Sequence, residues 1–224
     1  MKVLILGASR GIGFEFARQY LEAGDRVTAT ARDEDGLQRL KALGAKALRL
    51  DVSDAASISS LAGSLDGDKI DLALYVAGVF PAADARTPPT HEEFDRTMHT
   101  NVLGAMQAIP QVAPLVESAR DGQGVFAFIS SEMARIDGVE NSRGWTYRVS
   151  KAALNMAVAS AQHDYPKATL VAMSPGWVQT DMGGAGAALS VTQGVTSMRA
   201  ALANVTAKDK GRFLNYDGQP FSSW

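Results

Sequence analysis

No cysteine occurs among the 224 residues, which excludes disulfides, thiolate catalysis and cysteine-based zinc sites. Histidine is scarce too: His91, His99 and His163 show no tight metal-ligand spacing, so no metal is expected, and His91 reads as opening a helix. Neither sign of charge dominates. The formal net charge of -2 leaves no surplus of lysine and arginine to neutralise phosphate backbones, which argues against nucleic acid as the principal partner. Long hydrophobic runs are missing as well. The apolar start, Val3 to Leu6, is too short for a signal-peptide core, and no stretch approaches the roughly 18 to 20 apolar residues of a spanning helix. No membrane partner is expected, and the anticipated location is cytoplasmic. No repeat of about 20 to 50 residues, low-complexity tract or linker divides the chain, so one domain over residues 1–224 is expected.

What is present is an alternation of apolar runs and helical patterns. KVLIL (2–6) precedes GIGFEFARQYLEAG, RVTATA (26–31) precedes LQRLKAL, and AKALRL (45–50) precedes ASISSLAGSL with a cap near Ser53 or Asp54. IDLALYVAG (70–78), GVFAFIS (124–130) and ATLVAMS (168–174) complete six runs. Runs that are apolar throughout fit strands buried on both faces. The expected fold class is therefore α/β: a single-domain, doubly wound, mostly parallel Rossmann-type sheet with helices on both faces. Ligands of such sheets bind at the carboxyl ends of the strands, so the residues after each run carry the functional reading.

After the first run comes GASRGIG, with glycines at 7, 11 and 13. Small residues allow a tight turn and close backbone approach, and the helix that follows offers unsatisfied N–H groups to a pyrophosphate. The second run ends at Ala31 and Arg32, where an NAD site commonly places a carboxylate for the ribose 2′-hydroxyl. An arginine there suits a 2′-phosphate instead, with Arg10 as a second positive charge, so NADP(H) is preferred and NAD(H) remains open. The missing acid also weakens a methyltransferase reading.

Within GWTYRVSKAALN (144–155), Tyr147 and Lys151 stand four apart, on one face of the helix that begins there. An ammonium beside a phenol stabilises the phenolate, so the pair is expected to act as a proton donor and the cation that tunes it.

Taken together, these motifs resemble the short-chain dehydrogenase/reductase family across nearly the whole chain. GASRGIG is similar to its glycine motif, so Gly7, Ser9, Arg10, Gly11, Ile12 and Gly13 are implied cofactor contacts. Asp51 and Val52 match its adenine contact, and Ala77 and Gly78 match the end of its Asn-Asn-Ala-Gly motif. Asn101, Ser131, Tyr147 and Lys151 match its catalytic set, and Ser174-Pro175-Gly176 with Val178 and Thr180 its nicotinamide loop. The resemblance implies that Ser131 orients a carbonyl, that Lys151 also binds the nicotinamide ribose, and that Asn101 anchors a water linking the lysine to solvent. It implies reversible reduction of an aldehyde or ketone.

Within the family the likeness is to a short carbonyl-reductase-like branch that includes C-factor-type and sniffer-type proteins, some associated with signalling. A nucleotide-binding signalling or scaffolding protein is therefore the alternative reading. The 16-residue step from Ser131 to Tyr147, PGWVQTDMGG and the ending GRFLNYDGQPF carry this narrower likeness. Two positions depart from the family: Leu6 replaces a threonine, and Tyr75-Val76 replaces two asparagines that brace the loops. Trp145, Trp177, Met133 and Met182 are candidate pocket walls beside a short lid, DMGGAGAAL. The largely apolar helix KAALNMAVASAQ suggests a homodimer or homotetramer.

Overall fold

A computed structural model describes residues 1–65, 67–119 and 122–224. The six apolar runs are all strands: β1 (Lys2–Leu6), β2 (Arg26–Ala31), β3 (Lys46–Arg49), β4 (Leu72–Tyr75), β5 (Val125–Ile129) and β6 (Thr169–Met173). A seventh, β7 (Phe213–Leu214), joins them, and the sheet order is β3-β2-β1-β4-β5-β6-β7 with every pairing parallel. From β1 the chain winds outward through β2 and β3, then returns to β1's other side at β4. The carboxyl ends of β1 and β4 therefore form the switch point where such sheets hold ligands.

Eight α-helices connect the described strands: α1 (Gly11–Glu22), α2 (Glu34–Leu43), α3 (Ala55–Ser59), α4 (Leu61–Ser64), α5 (His91–Met98), α6 (Gly104–Glu117), α7 (Trp145–Ala161) and α8 (Val191–Leu202). Their starts follow side-chain chemistry. Asp33, Asp54, Thr90 and Ser190 each cap a helix by accepting from its first-turn N–H groups.

Alternation within the strands sorts the core into two layers. Val3, Ile5, Leu74, Ala127 and Met173 face Phe16, Leu40 and Met198 of α1, α2 and α8. Leu4, Leu6, Ala73, Phe126 and Leu170 face Ile58, Val112 and Leu154 of α3, α6 and α7. The central strands β1, β4, β5 and β6 thus bury both of their sides, which is why their sequences read as apolar runs, while the edge strand β3 stays partly exposed. The two-residue β7 was not anticipated as a strand, because a run that short has no readable period.

Candidate functional site

The glycine loop is shaped by contacts that exclude side chains. A Cβ on Gly7, whose φ is +89°, would stand 2.7 Å from Ala77 N, and one on Gly13 would stand 2.2 Å from Gly7 O. The loop is therefore pressed against the end of β4. Thr30 supplies the brace that Leu6 does not: its Oγ1 accepts from Gly7 N at 3.0 Å, and its carbonyl accepts from Ala8 N at 2.8 Å. Arg10 precedes α1 in extended conformation without a side-chain cap, and the first turn holds no acidic residue. That leaves the amino end of α1 free for an anion, as a dinucleotide pyrophosphate requires. Ser9 lies in the same loop and Ile12 in the first turn of α1, and Gly11 faces Thr180, whose Cγ2 would be 3.6 Å from an added Cβ.

Arg32 is exposed at the end of β2 and enters no ion pair among the described residues. Its potential partner Asp33 is committed to capping α2 through Gly36 N. Arg10 instead reaches Asp181 at 3.2 Å, an exposed pair that closes the glycine loop toward the lid segment. Beyond β3, the Asp51 carboxylate accepts from the Ser53 hydroxyl and N–H. Those bonds, with Arg32's charge adding a smaller effect, hold it below its ordinary range against the opposing effect of burial. Val52 is buried beside it.

Between α5 and α6 the helix widens into a π-turn, His99–Leu103, and Asn101 sits inside it, fully buried. Its Oδ1 accepts from Val79 N at 2.8 Å, while Nδ2 donates to Val79 O at 3.0 Å and to Ser150 Oγ at 2.9 Å. The amide side chain thus clamps the stretch after Gly78 onto α7. Tyr75 ties β4 to this turn. Its buried hydroxyl donates to Thr100 O in the π-turn at 2.7 Å, giving a partner to a carbonyl released by the widened helix.

Ser131, Tyr147 and Lys151 converge at the end of β5. Tyr147 and Lys151 stand in the first two turns of α7, four residues apart. Lys151 is 3% exposed, and its Nζ donates to Ile129 O at 2.7 Å and lies 5.6 Å from the Tyr147 ring centre. Gly78 lines this chamber, since a Cβ there would be 3.6 Å from Nζ. Burial pushes the Lys151 ammonium down to about 7 and the Tyr147 phenol up to about 12, the latter opposed by the nearby Ser131 hydroxyl. Burial is the largest influence on the phenol. Burial disfavours the charged form of each residue, and Ser131 is the group that eases the phenol's ionisation.

The last segment is organised by Ser174, whose Oγ accepts from Glu132 N at 3.1 Å and Gly176 N at 3.3 Å. Pro175 and Gly176 turn the chain against Tyr216, Val178 is buried, and Thr180 Oγ1 accepts from Gly183 N at 3.0 Å. The four expected wall residues divide. Met133 and the partly buried Trp145 flank Tyr147's segment, but Trp177 and Met182 are exposed, with Trp177 Nε1 donating to Gly183 O. Sequence reading missed Phe80, whose ring meets the Tyr147 ring edge-on at 4.9 Å. It also passed over Thr30, although a threonine with no exposed surface inside RVTATA is a polar interruption that signals a bracing role.

Residues 1–188 match the short chain dehydrogenase family. The solved structure of carbonyl reductase Sniffer of D. melanogaster aligns with a TM-score of 0.91 at 26% identity, covering 100% of this chain and 99% of its own. NADPH-bound carbonyl reductase from chicken fatty liver aligns with a TM-score of 0.90 at 31% identity, covering 100% and 98%. C-signal of Myxococcus xanthus is 32% identical over 66% of this chain and 90% of its own length.

Proposed function

This chain belongs to the short-chain dehydrogenase family, and on that premise we propose that it is an NADP(H)-dependent reductase of aldehydes or ketones, working as a single unit over residues 1–224. The observation that carries the reading is the chamber at the end of β5. A buried lysine lies over the ring of a buried tyrosine, Ser131 stands close enough to influence the phenol, and the lysine adjoins the side-chain-free Gly78.

NADP(H), when bound, supplies or accepts the hydride. Gly7, Ser9, Arg10, Gly11, Ile12 and Gly13 would hold its pyrophosphate, Arg32 its 2′-phosphate, and Asp51 and Val52 its adenine. Ala77, Gly78, Pro175, Gly176, Val178 and Thr180 would hold the nicotinamide end. Tyr147 donates its phenolic proton to the carbonyl oxygen as negative charge grows there, and Ser131 orients that oxygen. Lys151, when protonated, stabilises the phenolate left behind and holds the nicotinamide ribose. Asn101 keeps Gly78 and Val79 in register with α7. In the reverse direction Tyr147 accepts the proton of an alcohol.

Turnover is tested by NADPH oxidation against aldehydes, ketones and quinones, with a cofactor titration alongside. Tyr147→Phe should lower kcat by about a hundredfold or more while leaving NADPH binding within a few-fold. Wild-type turnover by that variant would refute the mechanism. Likeness to C-signal supports one alternative, a nucleotide-binding signalling protein, and cofactor binding without turnover of any carbonyl would favour it.

A further inference from the structure

Segments 79–86 and 131–148, which meet at Tyr147, hold four arginines: Arg86, Arg135, Arg143 and Arg148. Two are neutralised in place, Arg86 by Asp84 at 2.6 Å and Arg135 by Asp137 at 2.9 Å. Arg143 and Arg148 enter no ion pair among the described residues, and neither pairs with the exposed Glu140 nearby. Their roles differ. Arg148 uses Nε to hold Arg143 O at 3.1 Å, and its Nη2 reaches Asn141 Oδ1 at 3.5 Å. Arg143 is what that bracing presents, and its guanidinium donates to no acceptor among the described residues.

The backbone around Arg143 is tightly placed. Asn141 Oδ1 accepts from Arg143 N at 3.1 Å, and Gly144 N donates to Ala83 O at 2.9 Å. Gly144 has a φ of +64°, and a Cβ on it would stand 2.7 Å from Phe80 Cε2, so the loop presses directly on that ring. The Arg143 guanidinium carbon lies 6.0 Å from the centre of the Phe80 ring, and Phe80 in turn meets Tyr147. The guanidinium and the Tyr147 ring thus both lie near the same aromatic side chain.

Resting on the carbonyl-reductase reading, we propose that Arg143 selects substrates bearing a carboxylate or similar anionic group about one aromatic ring away from the carbonyl. The planar guanidinium matches a carboxylate with two parallel N–H donors. Phe80 offers a flat apolar surface to the part of the substrate between the two ends.

The test compares kcat/KM with NADPH for 4-carboxybenzaldehyde and 4-formylbenzamide, which share a ring and differ in charge. The whole chain should prefer the carboxylate by about fivefold, mostly through KM, and the preference should shrink as ionic strength rises. Arg143→Gln should bring the ratio of the two values close to one, Arg143→Lys should retain part of it, and Arg86→Gln should leave the ratio unaltered. Equal use of both aldehydes by the wild type, or a preference that survives Arg143→Gln, overturns this assignment while leaving the reductase reading intact. If neither these aldehydes nor a wider carbonyl panel is reduced, both readings fall.

Discussion

Arg32 and Lys151 are both cations without a carboxylate partner, yet solvent makes them opposites. Arg32 is exposed and permanently charged, so it can await an anion at little cost. If it holds a 2′-phosphate, Arg32→Ala should weaken NADPH use by about tenfold or more and leave NADH use nearly unchanged in steady-state assays. Equal losses would remove the assignment. Lys151 is buried, with Ile129 O its one hydrogen-bond acceptor among the described residues, and its pKa falls from 10.5 to about 7. The ammonium is thus present below about pH 7 and lost as pH rises through it. NADPH affinity should weaken over that interval in a fluorescence titration, and Lys151→Met should lack this component. Stability carries the opposite sign. The unfolded chain keeps this proton up to its higher pKa, so the cost of burying the lysine recedes as pH climbs from about 7 toward 10.5.

At the level of elements, the π-turn between α5 and α6 decides where Asn101 points, and β4 holds that turn through one side chain. Tyr75 and Gly104 are fitted to each other, since a Cβ on Gly104 would lie 2.5 Å from the Tyr75 hydroxyl and 2.3 Å from Val52 O. Burial pushes the Tyr75 phenol far above its usual range, so it stays protonated and remains a donor to Thr100 O. Tyr75→Phe removes that donor and leaves a carbonyl unsatisfied in a closed space, at a cost of about 1–3 kcal/mol in chemical denaturation. Because the Asn101 clamp sits one residue beyond Thr100, kcat should fall as well. Loss of stability with full activity would show that the turn holds without its tyrosine. A second tie reaches the site from the chain's far end. Trp224 O accepts from Ile136 N at 3.0 Å, Phe221 lies under the Arg135 guanidinium, and Trp224 stacks on Phe213. The segment leaving Ser131 is therefore fastened to β7, a strand too short to announce itself.

On the scale of the molecule, the two apolar layers are closed by helices, and one outer surface stays apolar. Val149 and Met156, seven residues apart and so on one face of α7, are both more than half exposed, and Leu103 at the end of the π-turn and Met106 in the first turn of neighbouring α6 are exposed. Two α-helical faces of this kind suit association with a second copy. Sedimentation should give a species larger than the 23.7 kDa chain, and Met156→Glu should shift it toward the monomer. A monomeric wild type at micromolar concentration would refute the assembly.

Much of this architecture was legible without coordinates because its causes are local. Strands buried on both sides must be apolar at every position, a phosphate turn must be built from small residues, and Tyr147 and Lys151 share a face by helical geometry alone. Other features depend on segments far apart in the chain. Thr30 bracing Gly7, Tyr75 serving the π-turn, and Phe80 meeting both Arg143 and Tyr147 have no periodic trace, because each exists only once β-strands and loops are brought together. The proton affinities belong to the same class. A lysine beside a tyrosine on a helix reads as a cation tuning a phenol, whereas enclosure by β5 and the 77–79 stretch moves both toward their neutral forms. Residue order sets period and turn chemistry, but burial is a property of the packed assembly, and burial is what sets the electrostatics of this site.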